Sequence, residues 1–191
     1  MIDTVIWRRL DVPGHDVCTL SHVEEGYLIT GVANFLYGSK PCSLRYAVHC
    51  NEDWQTLRAS VHGHIGKKEQ RVDFLLTADA SWLRNGVEQP RVRGLPDIDL
   101  SFTPATNTLA VRREKFSIGQ PTDTTAAWLR FPGLHLAPLR QTYTKLPNHT
   151  YSYTALEGEF KATIVFRRSG LVSRYEGLWA EERVARSEPL S

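Results

Sequence analysis

Helical periodicity is almost missing from this chain of 191 residues. Apolar side chains recur at every second position, the spacing of a half-buried strand, so a helix-based fold is not expected. Cysteine is scarce: there are three, an odd number, and none belongs to a Cys-x-x-Cys pair. A disulfide framework is therefore not expected. An excess of one charge is also lacking, with Lys+Arg 23 against Asp+Glu 21 and a formal net charge of +2. The basic residues are scattered apart from short pairs such as Arg112-Arg113 and Arg167-Arg168. Without a basic stripe, nucleic acid is not an expected partner.

No apolar run approaches the length that crosses a bilayer, so the chain is not expected to span a membrane. The opening "MIDTVIWRRLDVPGHD" has neither the positive n-region nor the apolar h-region of a secretory signal, and a cytoplasmic protein is expected. A Gly-x-Ser-x-Gly elbow, a P-loop and a Gly-rich dinucleotide fingerprint are all missing. No catalytic residue and no cofactor is expected.

What is there is alternation. Segments such as "TVIWRRL", "GYLITGVANFLY", "TLRASVHGHI" and "EFKATIVF" read as strands. They are punctuated by Pro13-Gly14, Gly38-Ser39, Asn85-Gly86 and Ser169-Gly170. Many strands at regular spacing predict an all-β sandwich, barrel or roll. One short helix is expected in "TDTTAAWLRF", capped by Thr or Asp. With no linker or low-complexity tract, the expectation is a single domain over residues 1–191.

Two hairpins are specified further by pairing large side chains with small ones. In "EFKATIVFRRSGLVSRYEGLW" a loop from Arg167 to Gly170 sets Phe166 opposite Leu171, Ile164 opposite Ser173 and Ala162 opposite Tyr175. In "DLSFTPATNTLAVRREKF" a loop from Thr103 to Thr108 sets Phe102 opposite Leu109 and Leu100 opposite Val111. Ile98 then falls opposite Arg113, and Asp99 meets Arg112 as an exposed ion pair. Arg113 ends an apolar row. It either snorkels past the strand end or stands as a cation at the mouth of an apolar cavity, facing an anionic or polar head group. Asp97 and Asp99 form a close carboxylate pair, of which Asp99 already has a partner in Arg112.

"DLSFTPATNTLAVRR", "GLVSRYEGLW" and the "NEDW" stretch from Asn51 to Trp54 together resemble the glycolipid-binding family of bacterial proteins, formerly a domain of unknown function. The resemblance spans about the whole chain. It implies a many-stranded antiparallel sheet curled into a roll or open barrel, similar in shape to bacterial lipoprotein carriers that shelter acyl chains. Large amphipathic rings suit such a role, having an apolar body and a polar tip. Tyr46, Trp54, Tyr153, Tyr175 and Trp179, with Arg113, are the candidate ligand contacts. Burying ten CH₂ groups would contribute roughly 8 kcal/mol before ordering costs.

The expectation is thus a non-catalytic β-roll that binds a lipid or glycolipid-like amphiphile in an apolar cavity. Two alternatives stay open. "VHGHIGKKE" sets His62 and His64 on one strand face with Glu69 beyond, a spacing similar to the first metal motif of cupins. Val61 and Ile65 take the apolar face, which leaves the histidines in solvent and no metal expected. The other alternative is a protein-interaction module that uses a sheet edge, and a homodimer formed through such an edge would look the same.

Overall fold

Alternation does become strand nearly throughout. The computed structural model describes residues 1–182, so residues 183–191 of the expected domain lie outside the described residues. In β1 (Asp3–Arg9), Val5 and Trp7 are buried while Thr4, Ile6 and Arg8 are exposed. The same pattern builds an antiparallel meander of β2 (Gly14–Val23), β3 (Gly26–Tyr37), β4 (Lys40–Cys50), β5 (Thr56–Ile65) and β6 (Lys68–Leu76). Short strands β7 (Trp82–Arg84) and β8 (Val87–Glu88) finish this half. Their two-residue turn, Asn85-Gly86, has φ of 49° and 82°, the left-handed pair that matches strand twist.

The second half begins with β9 (Ile98–Leu100) and the helix α1 (Asn107–Arg113). It continues through β10 (Pro121–Arg130), β11 (His135–Lys145), β12 (Thr150–Ala155), β13 (Phe160–Phe166), β14 (Val172–Tyr175) and β15 (Trp179–Glu181). β15 pairs with β1, so among the described residues both halves form one sheet of fifteen strands, open between β8 and β9. Every neighbouring pair is antiparallel except β9 with β10, which is parallel.

The sheet curls until its β9 edge lies inside the roll. Thr56 N–H donates to the Pro96 carbonyl and Thr56 Oγ1 accepts from Ile98 N–H, tying β9 to the base of β5. Trp82 Nε1 donates to Leu95 O, and Arg84 Nε reaches Leu134 O across the seam. Phe102 packs against the rings of Phe35 and Tyr46. The ring of Tyr46 in turn lies over Gly31, where any Cβ would stand 2.3 Å from it.

Three local expectations are corrected. Residues 107–113 form a helix rather than the returning strand of a hairpin. A strand there would have only the three-residue edge of β9 to pair with, whereas a helix satisfies its own backbone. Leu, Ala and Arg in "NTLAVRR" are also good helix formers. The Phe102–Leu109 and Leu100–Val111 pairings, and with them the Ile98–Arg113 and Asp99–Arg112 pairings, do not form. "TDTTAAWLRF" instead belongs to strand β10, where β-branched threonines suit the pleat and ten rungs join it to β11. The β13–β14 hairpin keeps its loop, with Gly170 at φ 94°, but pairs Ile164 with Tyr175 and Phe166 with Val172 across a bulge. The chain then turns at residues 176–178, which places Trp179 on β15 beside Tyr175.

Candidate functional site

The chain from Asp97 to Arg113 runs through the inside of the roll and carries polar side chains into it. Asp97 accepts from Arg113 Nη2 at 2.7 Å. Asp99 accepts from Gln141 Nε2 at 2.9 Å, and Gln141 also donates to the Tyr153 hydroxyl at 2.9 Å. Thr103 donates to Asp16 on β2, whose carboxylate also accepts from Tyr46 OH at 2.9 Å. Asn107 Nδ2 donates to Tyr143 OH at 3.0 Å. Buried polar groups are tolerated when they are bonded, and these bonds fix the inner segment to both halves of the sheet.

Between this segment and the concave face of β10 to β15 lies a cleft of about 160 Å³. Trp128, Tyr153, Phe160, Tyr175 and Trp179 wall it, with Asp99, Ser101, Thr103 and Asn107 on the other side. Tyr153, Phe160 and Tyr175 pack on one another. Tyr153 meets Tyr175 edge-on at 5.8 Å and Phe160 at 6.1 Å between centroids, a preferred aromatic geometry. The guanidinium of Arg9 lies 5.0 Å from the Trp179 ring centroid and backs it from outside the cleft.

Asp99 is the cleft's carboxylate. It is half-buried, and burial raises its pKa to about 6; the Gln141 bond opposes the shift and the nearby Asp97 charge reinforces it. Above that pH it is an acceptor set among rings. Burial also raises the Tyr153 and Tyr175 phenols above their ordinary value, keeping them protonated. Rings for apolar CH faces and a carboxylate for hydroxyl protons suit a small, neutral, hydroxylated ligand.

Of the sequence-derived contacts, Tyr153, Tyr175 and Trp179 come together here. Tyr46 does not line the cleft; it holds Asp16 beside the cleft residue Thr103. Trp54 is outside, stacked on Tyr27 at 4.0 Å with the Arg112 guanidinium 5.6 Å from its ring centroid. Its "NEDW" stretch is a side-chain-capped turn in which Asn51 Oδ1 accepts from the N–H groups of Asp53 and Gln55. Arg113 is bound by Asp97 and Glu114 and is not in the cleft wall. Arg112 caps the β13–β14 loop by donating to the carbonyls of Arg168 and Ser169, so it never meets Asp99.

Sequence reasoning missed the rings of Trp128 and Phe160 and, on the polar side, Asp99, Gln141 and Asn107. The one available signal for the polar side was a pair of carboxylates, Asp97 and Asp99, alternating with apolar residues. His62 bonds Asp73 at 3.0 Å, and exposed His64 sits directly across from Glu69. Among the described residues, no group of three or more His, Cys, Asp or Glu is placed to hold a metal ion. The three cysteines are free and buried, and burial pushes the Cys50 thiol up to about 12.

These features define the class first: an open, curled β-sheet wrapped around an inner segment, with an aromatic cleft at their junction. The family described as "putative glycolipid-binding" matches residues 4–181, and the chain belongs to that family. It is also similar to a crystal structure of a DUF1089 family protein from Pseudomonas aeruginosa. That protein is 27% identical, with a TM-score of 0.76 over 86% of this chain and 91% of the other. No curated protein matches the chain. Among the described residues no helix is long and apolar enough to cross a membrane.

Proposed function

We propose that this protein binds the sugar head group of a glycolipid in the aromatic cleft, without catalysing a reaction. The observation that carries this reading is Asp99, an acceptor within the ring wall of Trp128, Tyr153, Tyr175 and Trp179. The lining supports the head rather than the tail: Asp99, Ser101, Thr103 and Asn107 set polar groups across from the rings, which suits hydroxyls on one side of a sugar and its CH face on the other. The carboxylate disfavours an anionic head, which would meet like charge at close range. The family description supports a glycolipid as ligand.

Titration with a short-chain alkyl glucoside, followed by intrinsic tryptophan fluorescence, tests this. Saturable quenching is expected, and it should weaken roughly tenfold in Asp99→Ala, the loss of a hydrogen bond to a charged group. An alkyl sulfate of the same chain length binding equally well would refute the head-group reading.

A further inference from the structure

We infer that a second saccharide subsite lies on the outer face of the sheet, joined to the cleft through a fork between β11 and β12. This rests on the glycolipid reading and extends it to the next sugars of the head group. β12 pairs with β11 from Lys145 only as far as Gln141, which faces Ala155. Beyond that rung β11 continues to His135 with β10 as its one paired strand among the described residues, while β12 gives way to the turn Leu156–Gly158. The sheet therefore splits at Gln141–Ala155, and the turn sits in the split.

Residues of this split border both cavities. Ala155 lines the aromatic cleft and also an outer groove of about 670 Å³. Leu156 lines the cleft, and the next two residues, Glu157 and Gly158, line the groove. Leu156, Glu157 and Gly158 have φ of 52°, 56° and 93°, three successive left-handed residues. Strain of this kind persists where the surroundings hold it, often at ligand sites.

The groove's chemistry differs from that of the cleft. Strand alternation points Gln141 and Tyr143 inward and Arg140 and Thr142 outward, with Thr154 beside Thr142 on the same outer face. Thr125, Asp123 and Glu157 add polar groups to the lining, which also includes Thr124 and Gln141, both already bonded to inner residues. Asp123 accepts from Thr142 at 2.7 Å, whereas exposed Arg140 makes no ion pair or side-chain hydrogen bond among the described residues. A free guanidinium, two carboxylates and three hydroxyls offer donors and acceptors side by side. That mixture matches sugar hydroxyls, each both donor and acceptor, better than an ion of either sign. The lining offers no apolar stripe for an acyl chain.

Affinities for decyl glucoside and decyl maltoside, below their micelle concentrations, test the inference. The parent should prefer the disaccharide head by roughly tenfold, the contribution of one or two added hydrogen bonds. Arg140→Ala should bring that ratio down towards one. Arg140 is exposed and unpaired, and far-UV circular dichroism checks that the variant folds. A parent ratio near one, or a preference untouched in Arg140→Ala, would overturn the second subsite while the cleft reading stands. If neither glycoside binds, the cleft reading fails, and maltotriose titrated with amide NMR decides the groove alone. Shifts confined to Thr125, Thr142 and Thr154 would support it, and their absence would overturn it.

Discussion

Arg113→Ala separates a structural cation from a ligand-binding one. Arg113 holds Asp97 through Nη2 at 2.7 Å, and the two side chains are 21% and 4% exposed. Burial already raises the Asp97 pKa, against the Arg113 bond and charge that lower it. Removing one partner of a buried pair costs about 3–5 kcal/mol, because the remaining charge is left unpaired. The partial exposure of Arg113 places the expected loss near the lower bound, about 3 kcal/mol. For a chain of this size that is a fall of about 6–12 °C in Tm. The sign with pH follows. In the variant the folded Asp97 pKa moves further above its unfolded value, so the penalty is absent below the unfolded pKa and grows as pH rises towards the folded one. The deficit should therefore be smaller at pH 4.5 than at pH 7.5. Urea unfolding at both values, with Arg113→Ala/Asp97→Asn as the relieving double variant, measures it. A variant as stable as the parent that has lost glycoside affinity would refute the reasoning and return Arg113 to the ligand.

Other expectations follow from the same interior. Asp16 is fully buried with Oδ1 unbonded, and its pKa is raised to about 6 by burial, against the Thr103 and Tyr46 bonds. A raised acid pKa means stability is lost as pH rises through it. Asp16→Asn should thus remove roughly 1 kcal/mol of the decline between pH 5 and 7.5 in chemical denaturation. The buried cysteines should react with a thiol reagent only as fast as the native protein opens, and prompt labelling would contradict their burial. His64→Ala should change unfolding free energy by no more than about 0.5 kcal/mol, since the side chain is exposed on a strand face.

Strand alternation made most of the sheet legible, because each strand buries one face and period two reports that directly. It failed where two periods fit the same residues. Leu109, Val111 and Arg113 alternate as a strand would, yet the segment lies inside the roll, where the edge strand β9 is only three residues long. In β10 the opening Thr and Asp resembled a helix cap, although three of its first five residues are β-branched threonines. Tyr153, Tyr175 and Trp179 of the cleft's aromatic half were singled out as amphipathic candidate contacts, whereas Trp128 and Phe160 were not. The polar half was not legible. Asp99 meets Gln141 forty-two positions away, and Thr103 meets Asp16 eighty-seven positions away. Spacing within one strand carries no trace of such contacts. The wrong hairpin also hid Asp99 by giving it Arg112 as a partner.

The central claim is that the cleft holds the head of the ligand and leaves the tail outside. Saturation-transfer difference NMR on octyl glucoside, irradiating the protein's aromatic protons, tests it most directly. The account predicts the strongest transfer to the sugar ring protons, and little of it to the terminal methyl of the chain. Strongest transfer to that methyl would place the tail among Trp128, Tyr153, Tyr175 and Trp179 and contradict the account.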